Sequence, residues 1–342
     1  MIAAFGVAAV LGFVVAAGTA WLVARNAPRL GLLDVPNERS SHVSPTPRGG
    51  GIGIVAGVAA GVIYLTAVGI PLDRNLGILL AGAGVLAALG VVDDRRSVPA
   101  TVRLAVQLVV AVAVVALIGG VDRLPLPPPL DLPIGWLGLP LAVVWLVTVT
   151  NFYNFMDGID GLAGGQGFVS CTGVIIGIWS AGAVELAVVL AAACLGFLLL
   201  NSPPARIFLG DTGSYSLGFS IAGLPLLAPQ FGRPMAMFAV AVGLTLFLLD
   251  PLETLARLAR SGRRIGVAHR AHSYQALASN RDRHRRVALA LVLTGLALSL
   301  GGGLSYHLEW LAWPVLVVAL VALGVERFLA GRAGRPAAVG GQ

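Results

Sequence analysis

MIAAFGVAAVLGFVVAAGTAWLVA, residues 1–24, decides the fold class. It runs without a charged side chain until Arg25. As a helix rising about 1.5 Å per residue it is long enough to cross the roughly 30 Å of hydrocarbon in a bilayer. It lacks a basic leader and is longer than the apolar part of a signal peptide, so it reads as an uncleaved first span. Comparable apolar runs follow at 104–118, 184–200 and 235–249. The 342 residues are 57% hydrophobic and only 11% charged, with a mean hydropathy of +0.88. A soluble domain cannot hide that much apolar surface, and lipid can.

Reading apolar runs against polar or Gly/Pro-rich breaks predicts about eleven spans, with ten as the alternative count. They lie near 1–24, 49–69, 76–92, 103–119, 136–152, 162–180, 184–200, 214–230, 234–251, 287–303 and 309–328. The expected fold is therefore all-α: one polytopic membrane domain over residues 1–342. The net charge of +7 comes entirely from Arg, since the chain has no Lys. Its distribution argues for membrane topology, not for nucleic acid. Alternating the loops gathers Arg25, Arg29, Arg39, Arg48, Arg95, Arg96, Arg103, Arg206, the run 257–286, Arg327, Arg332 and Arg335 on one face, leaving Arg74, Arg123 and Arg233 for the other. Arg-rich short loops face the cytoplasm, which predicts an outer N-terminus and a cytoplasmic C-terminus. Cys171 and Cys194 fall in apolar segments and offer neither a disulfide framework nor metal-ligand spacing.

The same alternation brings the unusual polar segments to the Arg-rich face: RSSHVSPTPRGGG (39–51), DDRR (93–96), NFYNFMDGIDG (151–161), FLGDTGS (208–214) and an Arg/His-rich loop over 250–286. The outer loops are short or Pro-rich, as in LPLPPPLDLP (124–133), which suits a stiff surface connection. Acids at the end of a span are costly unless they meet water, a partner or a ligand. Asp93 and Asp94 directly follow AALGVV, and side chains one residue apart on a helix point about 100° apart, so the two are expected to do different jobs. A solvated helix end beside Arg95 and Arg96 is the bland alternative. Asn151, Asn154, Asp157 and Asp160 step by three and should stack on one helical stripe, a set suited to a nucleobase, sugar hydroxyls or hydrated Mg²⁺. A helix-capping Asn/Asp/Gly turn competes with that reading. In FLGDTGS, Gly210 and Gly213 flank Asp211, a plausible Mg²⁺ ligand or helix cap, while Phe208 offers a ring for stacking. The backbone of PTPRGGG could meet phosphate. AHRAHSYQ (268–275) supplies His269, Arg270 and His272 to neutralise phosphate oxygens; an anionic-lipid contact better suits the Arg cluster that follows.

With these segments in order, the chain resembles the polyprenyl-phosphate N-acetylhexosamine-1-phosphate transferase family over roughly residues 30–280. The paired DD after an apolar span, NFYNFMDGIDGLAGG and FLGDTGSYSLG carry the likeness, with a His-containing loop last. The resemblance implies an integral membrane transferase, in the inner membrane of a bacterium with its site on the cytoplasmic leaflet. It implies transfer of a sugar-1-phosphate from a UDP-N-acetylhexosamine to undecaprenyl phosphate, with release of UMP and a requirement for Mg²⁺. It assigns Asp211 to the metal, Asn154, Asp157 and Asp160 to the nucleotide and sugar, and Phe208 to uracil; Asn151, on the same stripe, is expected among the substrate contacts as well. Asp93 and Asp94 would lie nearest the lipid phosphate, with His272 as the third catalytic residue. Arg103, His269, Arg270 and His42 complete the substrate contacts. Where many members have an HxHH cluster this chain has HRAHSYQ, which resembles the branch that initiates O-antigen on 6-deoxy-HexNAc sugars. The chain could also associate as a homodimer.

Both substrates are anions, so the expected mechanism is positioning plus charge neutralisation, with the lipid phosphate oxygen attacking the sugar-bearing phosphate. A phosphate monoester is largely ionised at neutral pH, so Asp93 or Asp94 need only orient it. A secondary transporter would carry its acids at mid-bilayer instead of at span ends. A CDP-alcohol phosphatidyltransferase would need a longer Asp signature that is absent.

Overall fold

The computed structural model describes residues 1–36, 45–180, 182–261, 272–278 and 281–332. Among these the chain is almost entirely helical: α1 Ile2–Leu30, α2 Gly51–Ala67, α3 Arg74–Arg95, α4 Ala100–Ile118, α5 Gly138–Met156, α6 Leu162–Gly177, α7 Ala183–Asn201, α8 Gly210–Gly223, α9 Arg233–Gly243, α10 Thr245–Arg260, α11 Ser273–Leu277, α12 Arg281–His307 and α13 Ala312–Arg332. A two-residue antiparallel pair, β1 Leu33–Asp34 with β2 Thr46–Pro47, is the strand structure of the described residues. Local signals set several ends. Asp73 caps α3 by accepting from Leu76 N–H at 2.9 Å, Pro99 opens α4 and left-handed Gly31 closes α1.

Each apolar run marked in the sequence coincides with helix. Seven helices are long and apolar enough to cross a bilayer, eight spans if α9 and α10, bent by 74°, count as one. The remaining three runs fold as the shorter helices α2, α6 and α8. The last polar segment begins later than residue 250, because helix resumes after the bend and carries Asp250 inside α10. That helix is amphipathic: Phe247, Asp250 and Thr254 are buried while Leu252 and Arg260 face out.

Three packed groups build the body: α1 with α2 and α7; α3, α5 and α8; and α6, α9 and α12, with α6 against α7 joining the first and third. Exposed Val109, Leu199, Val321 and Leu329 give the outer surface the apolar character of a bilayer solvent. Because α3 and α5 run opposite to α4 and α8, the C-terminal ends of the first pair meet the N-terminal ends of the second, and the polar motifs collect at that end.

Candidate active site

The site forms where α8 begins. Asp94, at the end of α3, is buried, and both its oxygens are used. Oδ1 accepts from Asp211 N–H at 2.9 Å, while Oδ2 accepts from Thr212 N–H at 3.1 Å and Thr212 Oγ1 at 2.7 Å. It therefore caps α8 from another helix, setting a negative charge against that helix's positive end. Two glycines make room. A Cβ on Gly90 would lie 2.4 Å from Thr212 backbone, and one on Gly210, where φ is +74°, would lie 2.7 Å from Asp94 Oδ1.

Asp93 is buried too, but turns the other way. Oδ1 accepts from Val98 N–H at 2.8 Å, and Oδ2 accepts from Arg103 Nη1 and from the Tyr215 hydroxyl, both at 2.9 Å. Arg103 also donates to the Tyr215 oxygen at 3.0 Å. This triad ties α3, α4 and α8 together, so the adjacent acids do have different jobs, both of them discharged on the protein itself.

The polar stripe expected over 151–160 is broken, because helix α5 stops at Met156 and Asp157 takes φ −83°, ψ 54°. Asn151 points away, donating to Gln107 Oε1 at 2.6 Å and Val147 O at 2.8 Å. Asn154 points in, its Nδ2 reaching Asp211 Oδ1 at 2.7 Å and Ser214 Oγ at 2.8 Å. Asp160 stitches two loops by accepting from Ala205 N–H at 2.9 Å. Asp157 accepts no hydrogen bond among the described residues. Asp157 is half-buried, and desolvation by its surroundings pushes its carboxyl up to about 8, with the charges of Asp211, Asp94 and Asp160 adding to the effect in that order. The arrangement thus leaves Asp157, one oxygen of Asp211 and one of Asp160 unspent among the described residues, with Asp211 the neighbouring charge that acts most on Asp157.

Pro47–Gly51 lies across the start of α8. Phe208 N–H donates to Pro47 O at 2.8 Å, and Gly50 and Gly51 N–H donate to Phe208 O and Leu209 O at 2.9 Å each. Phe208 is thereby fixed half-buried beside Asp211 in sequence. His272 sits at the same end, its Nδ1 3.5 Å from Asp250 Oδ1 and its ring 6.3 Å from that of Phe155. His42, His269 and Arg270 lie outside the described residues.

Sequence reading passed over Tyr215, Arg48 and Asp250. Arg48 lies near enough to Asp94 to act on its charge, and its Nε is buried with no acceptor among the described residues. Asp250 is fully buried inside an apolar run, and an acid in a span is the signal that would have singled it out. Among the described residues no three His, Cys, Asp or Glu side chains gather to cage a metal. Mg²⁺ commonly takes only one or two carboxylates and completes its shell with waters and substrate phosphates, so Asp157 and Asp211 fit it.

The profile of glycosyl transferase family 4 matches residues 76–228, which takes in α3 to α8. The chain is 30% identical over 312 residues to a probable undecaprenyl-phosphate N-acetylglucosaminyl 1-phosphate transferase of Bacillus subtilis, covering 89% of this chain and 86% of that one. It is 31% identical over 308 residues to a decaprenyl-phosphate N-acetylglucosaminephosphotransferase of Mycobacterium tuberculosis, covering 78% and 74%. It is also 30% identical over 332 residues to an undecaprenyl-phosphate alpha-N-acetylglucosaminyl 1-phosphate transferase of Salmonella typhi, covering 92% and 87%.

Proposed function

The chain belongs to the polyprenyl-phosphate N-acetylhexosamine-1-phosphate transferase family, and from that premise we propose that it moves a HexNAc-1-phosphate from a UDP-sugar onto undecaprenyl phosphate, yielding undecaprenyl-diphosphate-sugar and UMP. Its relatives carry N-acetylglucosamine in their names; the HRAHSYQ form of the last loop favours a 6-deoxy-HexNAc donor and O-antigen or a similar surface polysaccharide. The Arg-rich end of the bundle, where the site gathers, is read as the cytoplasmic face of the inner membrane.

One observation carries the reading. Of the aspartates gathered around the start of α8, Asp93 and Asp94 spend both oxygens on protein donors, Asp160 and Asp211 each commit one, and Asp157 accepts no hydrogen bond among the described residues. Asp211 is the charge that acts most on Asp157, which sets these two together with oxygens free for something else. Mg²⁺ held by Asp211 and Asp157 would neutralise charge at the donor's phosphates. Asn154 fixes Asp211, Asp94 fixes the helix turn that presents it, and Phe208 offers its ring to uracil. Arg103, anchored on Asp93 and Tyr215, presents positive charge to the lipid phosphate, whose oxygen attacks the sugar-bearing phosphate in line with departing UMP. His272, with Asp250 beside its Nδ1, adds a further contact for phosphate oxygens. The test is to incubate membranes holding the full chain with undecaprenyl phosphate, Mg²⁺ and a panel of UDP-HexNAc donors, and to weigh the lipid product. A mass increased by a HexNAc phosphate, lost on chelation, is expected; no UMP release from any donor overturns the reading.

A further inference from the structure

A second ionic cluster lies outside the residues that the family profile matches, where α13 meets α10 and α11. Asp250 is completely buried there and surrounded by donors: Ser273 N–H at 3.1 Å, Tyr274 N–H at 3.2 Å and Thr254 Oγ1 at 3.3 Å, with His272 Nδ1 at 3.5 Å and Arg327 Nη1 at 3.4 Å. A buried carboxylate needs a counter-charge, and the guanidinium of Arg327 supplies it. The same group pairs through Nε with Glu253 Oε2 at 2.5 Å and donates to Ser273 Oγ. A third acid, Glu326, is buried beside it at 4.0 Å. One planar cation on the last helix therefore ties both the α10 acids and the residue following His272, a three-point grip that a Lys ammonium does not reproduce.

The grip continues into the active site. The His272 ring is flanked by Phe155 at 6.3 Å and Tyr274 at 5.8 Å between centroids, and the Tyr274 hydroxyl donates to Phe155 O at 3.0 Å. Phe155 stands between Asn154 and Asp157 in the chain. From this chain of contacts we infer that Arg327 is a positioning residue for the transfer: through Asp250 and Ser273 it sets His272 against the end of α5. The inference rests on His272 serving the reaction as read above. It gives α13, which carries no motif, a part in turnover.

A double-mutant cycle on the purified full chain tests it, with UDP-N-acetylglucosamine, or the donor that the panel selects, and undecaprenyl phosphate as substrates. Arg327→Gln is expected to lower kcat about tenfold with donor KM within about twofold, and to cost no more than about twofold in a His272→Gln background, the non-additivity of residues in one network. Arg327→Lys should recover part of the loss. Equal factors in both backgrounds, as an anchor for α13 would give, overturn the inference, and so does an unchanged kcat in Arg327→Gln alone. Should Arg327→Gln not fold, Glu253→Gln loosens one tie only; a kcat loss of about threefold that disappears with His272→Gln supports the inference, and an equal loss in both overturns it. Full activity in His272→Gln would instead remove the premise about His272 and the inference with it, leaving the family reaction standing.

Discussion

Asp93 and Asp94 reach the site with all four carboxylate oxygens accepting hydrogen bonds from the protein, whereas Asp157 accepts none among the described residues and Asp211 commits one oxygen, to Asn154. In sequence the first pair looks the more reactive, two acids side by side at the end of a span. In space its oxygens are all held by protein donors. A carboxylate saturated by donors lowers the energy of one geometry and has little left to offer a ligand, while a desolvated carboxylate without donors is a standing cost that a cation relieves. The difference teaches that reactivity here follows unspent lone pairs and not proximity along the chain.

The comparison can be broken by substitution. Asp211→Asn keeps the shape and the Asn154 contact and should lower kcat on the order of a thousandfold, with thermal unfolding barely moved; UMP release and a melting curve check both, and a large loss of stability would place Asp211 with Asp93 and Asp94. Asp94→Asn should show the opposite balance: a stability loss of about 2 kcal/mol from the weakened charged cap, measured by denaturant or thermal unfolding, and a smaller fall in kcat, about a hundredfold, as the α8 turn shifts.

Asp157 gives a pH signature. Its carboxyl stands near 3.8 when unfolded and at about 8 when folded, so the folded state holds the extra proton and stability declines as pH rises between those values. Asp157→Asn should therefore melt higher than the parent at pH 8 and converge with it toward pH 4, while losing activity. A parent that is instead stabilised as pH rises through that window, relative to the variant, would contradict the assignment. The smallest effect is expected of Asn151→Ala, which removes the tie to Gln107: about 1 kcal/mol of stability and turnover within about twofold. A loss approaching that of Asp211→Asn would return Asn151 to the substrate.

Apolar runs made the helices legible, because span length and hydropathy are local properties of the chain. The break between α9 and α10 was not, since the apolar run 234–251 continues through it and only the amphipathic LETLARLAR beyond shows that the second helix changes character. Within the site, Asn154 and Asp211 could be picked out by motif, but the stripe that enlisted Asn151 assumed a helix running past Met156. Tyr215 and Arg327 escaped for a different reason: their partners lie 122 and 54 positions away, as in Tyr215 to Asp93 and Arg327 to Ser273. No spacing rule encodes such a meeting. What a sequence can offer is the cost of a charge inside an apolar run, and Asp250 and Arg327 both carry that cost.

Cation binding separates the two pairs most directly. Mn²⁺ titrated into the purified full chain with saturating UMP, and followed by electron paramagnetic resonance, reports occupancy without turnover. Asp157→Asn and Asp211→Asn are each expected to weaken binding on the order of tenfold or more, while Asp93→Asn, folded and tested alongside, keeps the parent affinity. Loss of the ion in Asp93→Asn with retention in Asp157→Asn and Asp211→Asn would contradict the division of labour between the pairs.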